Sequence, residues 1–164
     1  MPAGPSTIAR LAGRAIGVQR QAVSLLDRFA APAADLAVRI MIGLVFFNSG
    51  RQKLQDWEST VFLFAEEYKV PLLTPEAAAW LGTTFEVTMP LLLFVGLAAR
   101  LAALPLLGMA LVIQFVLGAS NPAYDSMEHF YWMILLLLIV VRGPGMLSLD
   151  HVIKRRFANG PGAP

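Results

Sequence analysis

Long apolar runs separated by short polar segments dominate this chain and predict an all-α fold. Residues 101–119 form the clearest run and are interrupted only by Gln114, and about 20 apolar residues let a helix cross ~30 Å of hydrocarbon. Residues 33–54 and 77–99 are comparable runs, and residues 126–142 are just long enough. The pattern therefore predicts an integral membrane four-helix bundle with spans at about residues 33–54, 77–99, 101–119 and 126–142.

Proline and glycine positions indicate where the predicted spans begin and end. Pro71 interrupts the segment before span two, and Thr74 followed by Pro75 is typical of a helix N-terminus. Only residues 96–100 separate spans two and three, so these two helices are expected to be antiparallel neighbours. Gly143 and the residues after it end span four, and Ser148 with Asp150 is expected to cap a short basic helix.

Two segments outside the spans carry an amphipathic helical pattern. In residues 7–30 the apolar side chains share one face, which predicts an N-terminal interfacial helix on the anionic inner leaflet. An exposed leader and an organellar transit peptide are the alternatives. Trp57, Val61 and Tyr68 recur at helical spacing and predict a short helix on the outer surface.

The same pattern gives the expected domain organisation. Residues 1–32 form a cytoplasmic amphipathic segment, residues 33–146 the four-span membrane domain, and residues 147–164 a basic cytoplasmic helix with a disordered tail from Asn159. Within span one, a stripe is expected to face protein and consists of Arg39, Gly43, Phe46 or Phe47, Gly50 and Lys53. The comparable face of span three consists of Gly108, Leu111, Gln114 or Phe115, and Gly118.

Composition and charge agree with a protein of the lipid bilayer. Hydrophobic residues make up 57% of the chain and charged residues 15%, against about 25% charged residues in soluble domains. The sequence contains no cysteine, which excludes thiolate chemistry by this chain. No basic run is long enough to predict binding to nucleic acid.

The distribution of basic residues predicts the orientation in the membrane. Cytoplasmic segments keep the excess of Lys and Arg, and most such residues outside the spans fall on one side of the proposed topology. They are Arg10, Arg14, Arg20, Arg28, Arg100, Arg142, Lys154, Arg155 and Arg156. Both termini are therefore expected in the cytoplasm.

Arg39 and Glu86 are charged residues inside predicted spans, where a charge costs about 2.5–3.5 kcal/mol on insertion scales. Arg39 is within side-chain reach of Glu86, and Arg51 or Lys53 could serve it from the outer end; the sequence does not choose between them. One interpretation is a buried ion pair that fixes helix register. The other is that Glu86 handles protons or binds a ligand.

Several polar and aromatic residues are expected at the depth of the outer half of the bundle. They are Asn48, Arg51, Gln114, His129 and Trp132, with Glu86 below them. Such a pocket suits a quinone headgroup, because His129 and Gln114 would bond its carbonyls while Trp132 stacks on the ring. Alternatively His129 marks the water interface only. The methionines lie at different depths, so no metal site is predicted.

The segment from Arg39 to Asp150 resembles the DoxX family of small four-helix membrane proteins. Besides Arg39 and Glu86, the resemblance rests on Ser-Gly-Arg-Gln-Lys-Leu at 49–54, Val-Pro at 70–71, Gly-Leu at 96–97 before Arg100, and Gly-Pro-Gly-Met-Leu-Ser-Leu-Asp at 143–150. One departure follows Glu86, where the family usually has small glycines and this chain has Val87, Met89 and Pro90. Pro90 is expected to kink span two.

The resemblance implies a multi-pass protein of a bacterial cytoplasmic membrane, linked with oxidative, sulfur or metal stress and with quinone reduction. The leading hypothesis is a non-catalytic or co-catalytic membrane subunit, without a covalently bound cofactor, which binds quinone or docks a partner oxidoreductase. A quinone-linked oxidoreductase subunit is the catalytic form of this hypothesis. The alternatives are a transporter of protons, metals or small solutes, and a purely structural membrane scaffold. Homo-oligomerisation is left open.

Overall fold

The computed structural model describes residues 7–158, which form helices joined by turns. The helices are α1 (Thr7–Leu25), α2 (Ala31–Gln55), α3 (Trp57–Leu63), α4 (Pro75–Val95), α5 (Ala99–Val112), α6 (Gly118–Ser120), α7 (Met127–Arg142) and α8 (Leu149–Ala158). The prediction of an all-α fold is confirmed for this part of the chain. The predicted disordered tail from Asn159 lies outside the described residues.

Short stretches of other helical geometry join several of these elements. Leu26–Ala30, Phe64–Tyr68 and Ile113–Leu117 form π-helical turns after α1, α3 and α5, and Pro122–Tyr124 forms a 3₁₀ turn before α7. A π turn inserts an extra residue and rotates the helix that follows it. The boundary between two compact units falls after Ala34, and the second unit contains all the contacts described below.

Three helical segments are long and apolar enough to cross a membrane. They are Ile16–Gln55, Pro75–Val95 and Ala99–Ser120, with 40, 21 and 22 residues. Helix α7 contains 16 residues, and a spanning helix usually contains about 17–25. The predicted spans two and three thus correspond to single helical segments of sufficient length, whereas the fourth falls short of it.

The hydrophobic core of the second unit consists of buried side chains from four helices, α2, α4, α5 and α7. The buried residues are Ile42 and Phe46 of α2, Leu93 of α4, Leu106 and Ala110 of α5, and Leu136 and Ile139 of α7, together with three alanines of α5. Helix α5 packs against both α4 and α7. The stripe predicted on α2 is confirmed, because Arg39, Gly43, Phe46 and Gly50 are all buried.

The stripe predicted for span three was wrong in part. Gln114 is buried, but Gly108 and Leu111 are exposed and the buried positions are Leu106, Ala110 and Leu117. The buried positions recur every three or four residues, at Leu106, Ala110, Gln114 and Leu117, which is the spacing of one helical face. The prediction therefore placed Gly108 and Leu111 on the wrong face of the helix. The small alanine side chains of α5 already allow neighbouring helices to approach closely, so this packing does not require the glycines.

Helix α4 begins and helix α7 ends where the sequence predicted, whereas the capping of α8 follows the prediction only in part. The Thr74 hydroxyl accepts a hydrogen bond from the Ala77 amide at 3.2 Å, and α7 ends at Gly143. Ser148 accepts one from the His151 amide at 3.2 Å. Asp150, which was also expected to cap α8, instead accepts from the Ala98 amide at the start of α5 at 2.8 Å.

Candidate functional site

A buried ion pair joins α2 and α4. The Nζ atom of Lys53 lies 2.6 Å from Oε2 and 2.8 Å from Oε1 of Glu86, and it also donates to the hydroxyl of Ser49 at 2.8 Å. Glu86 is 4% exposed. Of the three cations that the sequence left open, the structure therefore places Lys53 on Glu86.

Gly50 explains how Glu86 comes so close to the backbone of α2. A Cβ atom at position 50 would lie 2.9 Å from Cβ of Glu86 and 2.9 Å from Cγ2 of Val87, which is closer than packed carbon atoms approach. Ser49 and Lys53 lie one helical turn apart around this point of contact. Glycine at this position thus lets the two helices approach and brings Glu86 within reach of Lys53.

Arg39 has a different role from the one its charge suggested. Its Nη1 donates to the carbonyl oxygen of Leu93 at 3.0 Å, and its Nη2 donates to the carbonyl of Leu147. These bonds connect α2 to the end of α4 and to the segment before α8. Two of its nitrogens thus bond to backbone carbonyls, while the buried Nε has no hydrogen-bond partner among the described residues. Arg39 therefore holds helix ends together and does not pair with Glu86.

A cavity of about 340 Å³ lies beside the ion pair, between α4, α5 and the turn that follows α3. Its lining is almost wholly apolar, and Glu86 and Tyr68 contribute polar side chains to it. The other lining residues are Phe64, Val70, Leu73, Ala78, Leu81, Gly82, Phe85, Pro105, Gly108, Met109, Val112, Ile113 and Leu117. A Cβ atom at Gly108 would meet nothing within 4 Å, so larger side chains could extend from this position into the open space.

Tyr68 provides a hydrogen-bond donor to the cavity. Burial, and then the carboxylates of Glu86 and Glu67, raise the pKa of Tyr68 to about 12, so its hydroxyl keeps its proton at physiological pH. Among the residues that the structure describes, this hydroxyl makes no hydrogen bond. Sequence reasoning used Tyr68 only to mark the outer helix, and its helical spacing from Trp57 and Val61 was the signal that it faces inward.

Aromatic contacts fix the position of Tyr68. Its ring meets Phe64 edge to face at 4.8 Å between centroids and Tyr124 at 6.1 Å. The hydroxyl of Tyr124 in turn donates to the carboxylate of Glu67. The turn after α3 and the 3₁₀ turn before α7 are therefore connected beside Tyr68.

A second polar cluster contains the other residues expected in the pocket. Gln114 donates through Nε2 to Asp125 at 2.6 Å, and its Oε1 lies 3.0 Å from Nδ1 of His129. The carboxylate of Asp125 accepts hydrogen bonds, so the Gln114 oxygen faces the histidine and Nδ1 must carry a proton. The ring of His129 also contacts Trp132 at 4.8 Å between centroids.

The predicted pocket thus separates into two groups of residues. Gln114, His129 and Trp132 lie together, whereas Glu86 lies at the cavity and pairs with Lys53. Among the described side chains, no hydrogen bond connects the two groups. Asn48 and Arg51 are exposed on α2 and do not line the cavity. Within residues 7–158, no three His, Asp or Glu side chains lie close enough to hold a metal ion.

Comparison with known proteins gives the relatives of this chain. A 131-residue match to an "Uncharacterized protein" of Haemophilus influenzae is 28% identical and covers 74% of this chain and 84% of that protein. A 130-residue match to the "Putative oxidoreductase CatD" of Bacillus subtilis is 26% identical and covers 76% of this chain and 90% of that protein. No solved structure matches the chain.

The family match agrees with the architecture. The sequence model of the DoxX family matches residues 34–119, which include α2 without its first three residues, all of α3, α4 and α5, and the Lys53–Glu86 ion pair. The apolar helices place the protein in a lipid bilayer as a multi-pass protein. On this match over more than half of its length, the chain belongs to the DoxX family.

Proposed function

We propose that this protein is a membrane subunit of a redox or stress-response system and binds a quinone in the cavity between α4 and α5. The observation that carries the proposal is an apolar cavity whose wall contains a buried carboxylate already held by a lysine. Pockets for small ligands have volumes of roughly 300–1,000 Å³ and combine apolar walls with a few placed polar groups. The name of the Bacillus subtilis relative is consistent with a redox role.

The polar groups of the cavity match those of a quinone head. The carbonyl oxygens of a quinone accept hydrogen bonds. The protonated hydroxyl of Tyr68 is a donor without a partner among the described residues. The ring and isoprenoid chain of a quinone are apolar, as are nearly all the lining side chains. The cavity therefore offers both kinds of contact that this molecule needs.

The ion pair gives the same site a group that can accept a proton. A quinone supplies electron transfer coupled to protons when it is bound. Glu86 contributes a carboxylate to the cavity wall, and Lys53 donates to both of its oxygens and fixes its orientation. Glu86 would hold or release a proton at this wall, while Lys53 and Ser49 keep the carboxylate in place.

Filling the cavity tests the proposal. Purified protein in detergent is titrated with a short-chain ubiquinone by calorimetry. Unaltered protein should bind it saturably, and Gly108→Leu should weaken binding by at least ~10-fold, equivalent to about 1.4 kcal/mol, because leucine would occupy the space beside Gly108. Gly17→Leu is the matched control, since Gly17 is also helical with nothing within 4 Å of an added Cβ.

Two results would contradict the proposal. One is the absence of saturable binding to unaltered protein whose helical circular dichroism is intact. The other is a folded Gly108→Leu variant that binds as tightly as the Gly17→Leu control, since the quinone would then not occupy this cavity.

We also propose that α7 is a fourth span, with both termini in the cytoplasm of a bacterium. Its 16 residues cover about 24 Å at 1.5 Å per residue, and Trp132 and Tyr131 near its start suit an interfacial position. Helix α7 also packs along α5, which begins the 22-residue segment Ala99–Ser120 that is long enough to span. The chain has no native cysteine, so single cysteines at Ala123 and Met146 should react with impermeant maleimide from opposite sides; labelling from the same side would exclude this topology.

A further inference from the structure

Helix α8 leaves its apolar side uncovered. Leu149, Val152, Ile153 and Phe157 are 44%, 51%, 42% and 82% exposed. At about 100° per residue these positions fall on one side of a helix. Single exposed apolar residues are common on protein surfaces, but a continuous strip indicates that another apolar phase covers it.

The polar side of α8 faces the rest of the second unit. Asp150 and His151 are half-buried, and Ser148 immediately before the helix is buried. The backbone amide of Asp150 donates to the carbonyl of Gly96 at 3.0 Å, and its carboxylate accepts from Ala98 and Ala99. This orientation is opposite to that of a helix on a soluble core, which turns its apolar face inward.

The same bonds fix where α8 begins. Gly96 and Ala98 form the turn between α4 and the segment Ala99–Ser120, which begins with α5, and both are long and apolar enough to span the bilayer. A turn between two spanning helices lies at a membrane surface. The first turn of α8 is therefore held at the level of the lipid headgroups.

Basic residues accompany the apolar strip. Lys154 and Arg155 flank it, and Arg156 lies within it, where its long side chain can extend to the headgroup level. An exposed apolar strip with flanking cations is the pattern of helices that lie on anionic lipid. We propose that α8 lies on the membrane surface with its apolar strip in the bilayer and its cations on anionic phospholipid headgroups, whether or not the cavity binds quinone.

Site-directed spin labelling tests this in the full-length protein, because the native sequence has no cysteine. Single labels are placed at Val152→Cys and Phe157→Cys on the strip, with Lys154→Cys on the other side as the matched control. The protein is reconstituted in phosphatidylcholine, with or without phosphatidylglycerol. In the anionic vesicles, the ratio of oxygen to nickel-chelate accessibility should be severalfold higher at positions 152 and 157 than at 154.

Charge dependence separates anionic lipid from other occupants. Arg155→Gln with Arg156→Gln, or high salt, should reduce the difference between strip and control, because salt screens surface charges over about 10 Å. The proposal is wrong if positions 152 and 157 are as accessible to nickel chelate as position 154, which indicates water. It is also wrong if both are shielded from both reagents, which indicates a protein cover, or if the charge changes have no effect.

Hydrogen exchange of the unaltered protein gives a test that no substitution can disturb. Amides of residues 152–157 should exchange more slowly in discs that contain phosphatidylglycerol than in phosphatidylcholine alone, while amides within α5 should not differ. Equal exchange of residues 152–157 in both lipids would overturn the proposal.

Discussion

The two basic residues of the α2 stripe, Arg39 and Lys53, meet very different surroundings. They are separated by about 21 Å along the helix at 1.5 Å per residue. Lys53 meets the carboxylate of Glu86 near the middle of α4, whereas Arg39 meets the backbone carbonyls of Leu93, near the end of α4, and Leu147, before α8. The sequence predicted that both lie against protein, but the choice of partner depends on the axial position of α4 relative to α2, which periodicity does not contain.

Removing the lysine should leave a buried carboxylate without its cation. We expect Lys53→Met to lower the free energy of unfolding by about 3–5 kcal/mol, as is typical when one partner of a buried pair is lost. The change is measured by unfolding in mixed micelles of dodecyl sulfate. Arg51→Met, on the exposed side of the same helix, should stay within about 0.5 kcal/mol.

The double variant Lys53→Met with Glu86→Leu should recover most of that loss, because an apolar pair can replace a buried ion pair. A Lys53→Met variant as stable as Arg51→Met would show that the ion pair does not form in the folded protein.

The bonds of Gln114 should fix the tautomer of His129. With the Gln114 oxygen facing the ring, the neutral histidine must carry its proton on Nδ1 and leave Nε2 as an acceptor. Nitrogen-15 NMR of histidine-labelled protein, at a pH where the ring is neutral, should show the Nδ1–H form. An Nε2–H form would show that the amide of Gln114 is reversed or does not contact the ring.

At the scale of elements, glycine and capping residues determine how the helices meet. Gly50 lets α4 approach α2, and Asp150 reaches across from α8 to the first amides of α5. Helix ends without such partners leave backbone amides unsatisfied. The sequence indicated Gly50 as a contact position and Asp150 as a cap, but it could not show that Asp150 caps a helix 50 residues earlier, since capping patterns are local.

A methyl group at position 50 should push the two helices apart. We expect Gly50→Ala to cost about 1–3 kcal/mol of unfolding free energy, as overpacking does, because the new Cβ would lie 2.9 Å from Cβ of Glu86. The same unfolding assay measures it. Gly17→Ala, which meets nothing within 4 Å, should be neutral or stabilising by up to ~1 kcal/mol; equal effects of the two substitutions would contradict the close contact.

Loss of the Asp150 carboxylate should loosen the start of α5. We expect Asp150→Ala to speed hydrogen exchange at the amides of Ala98 and Ala99, its two partners, and to cost about 1 kcal/mol as other lost caps do. Glu66→Ala, an exposed acid in the turn after α3, is the control. Unchanged exchange at both amides would show that Asp150 does not cap α5 in solution.

At the scale of the whole molecule, the apolar runs predicted the all-α fold and the spanning length of the segments Pro75–Val95 and Ala99–Ser120. They did not predict the cavity, because its lining comes from separate elements, such as Tyr68 before α4, Phe85 in α4 and Gly108 in α5. Of the residues that the sequence suggested for a ligand pocket, Glu86 lines this cavity. The sequence also predicted His129 and Trp132 in a pocket with Glu86. In the structure His129 instead contacts Gln114 and Trp132.

The location of bound quinone tests the account most directly, because it distinguishes the two polar regions. Membranes that contain the protein are irradiated with an azido-quinone, and the labelled residues are identified by mass spectrometry. We predict adducts on cavity residues such as Phe85 and Met109. Excess unlabelled quinone should prevent these adducts, and the Gly108→Leu substitution should abolish them. The account would be contradicted if Phe85 and Met109 remained unlabelled and His129 or Trp132 carried adducts that excess unlabelled quinone prevents.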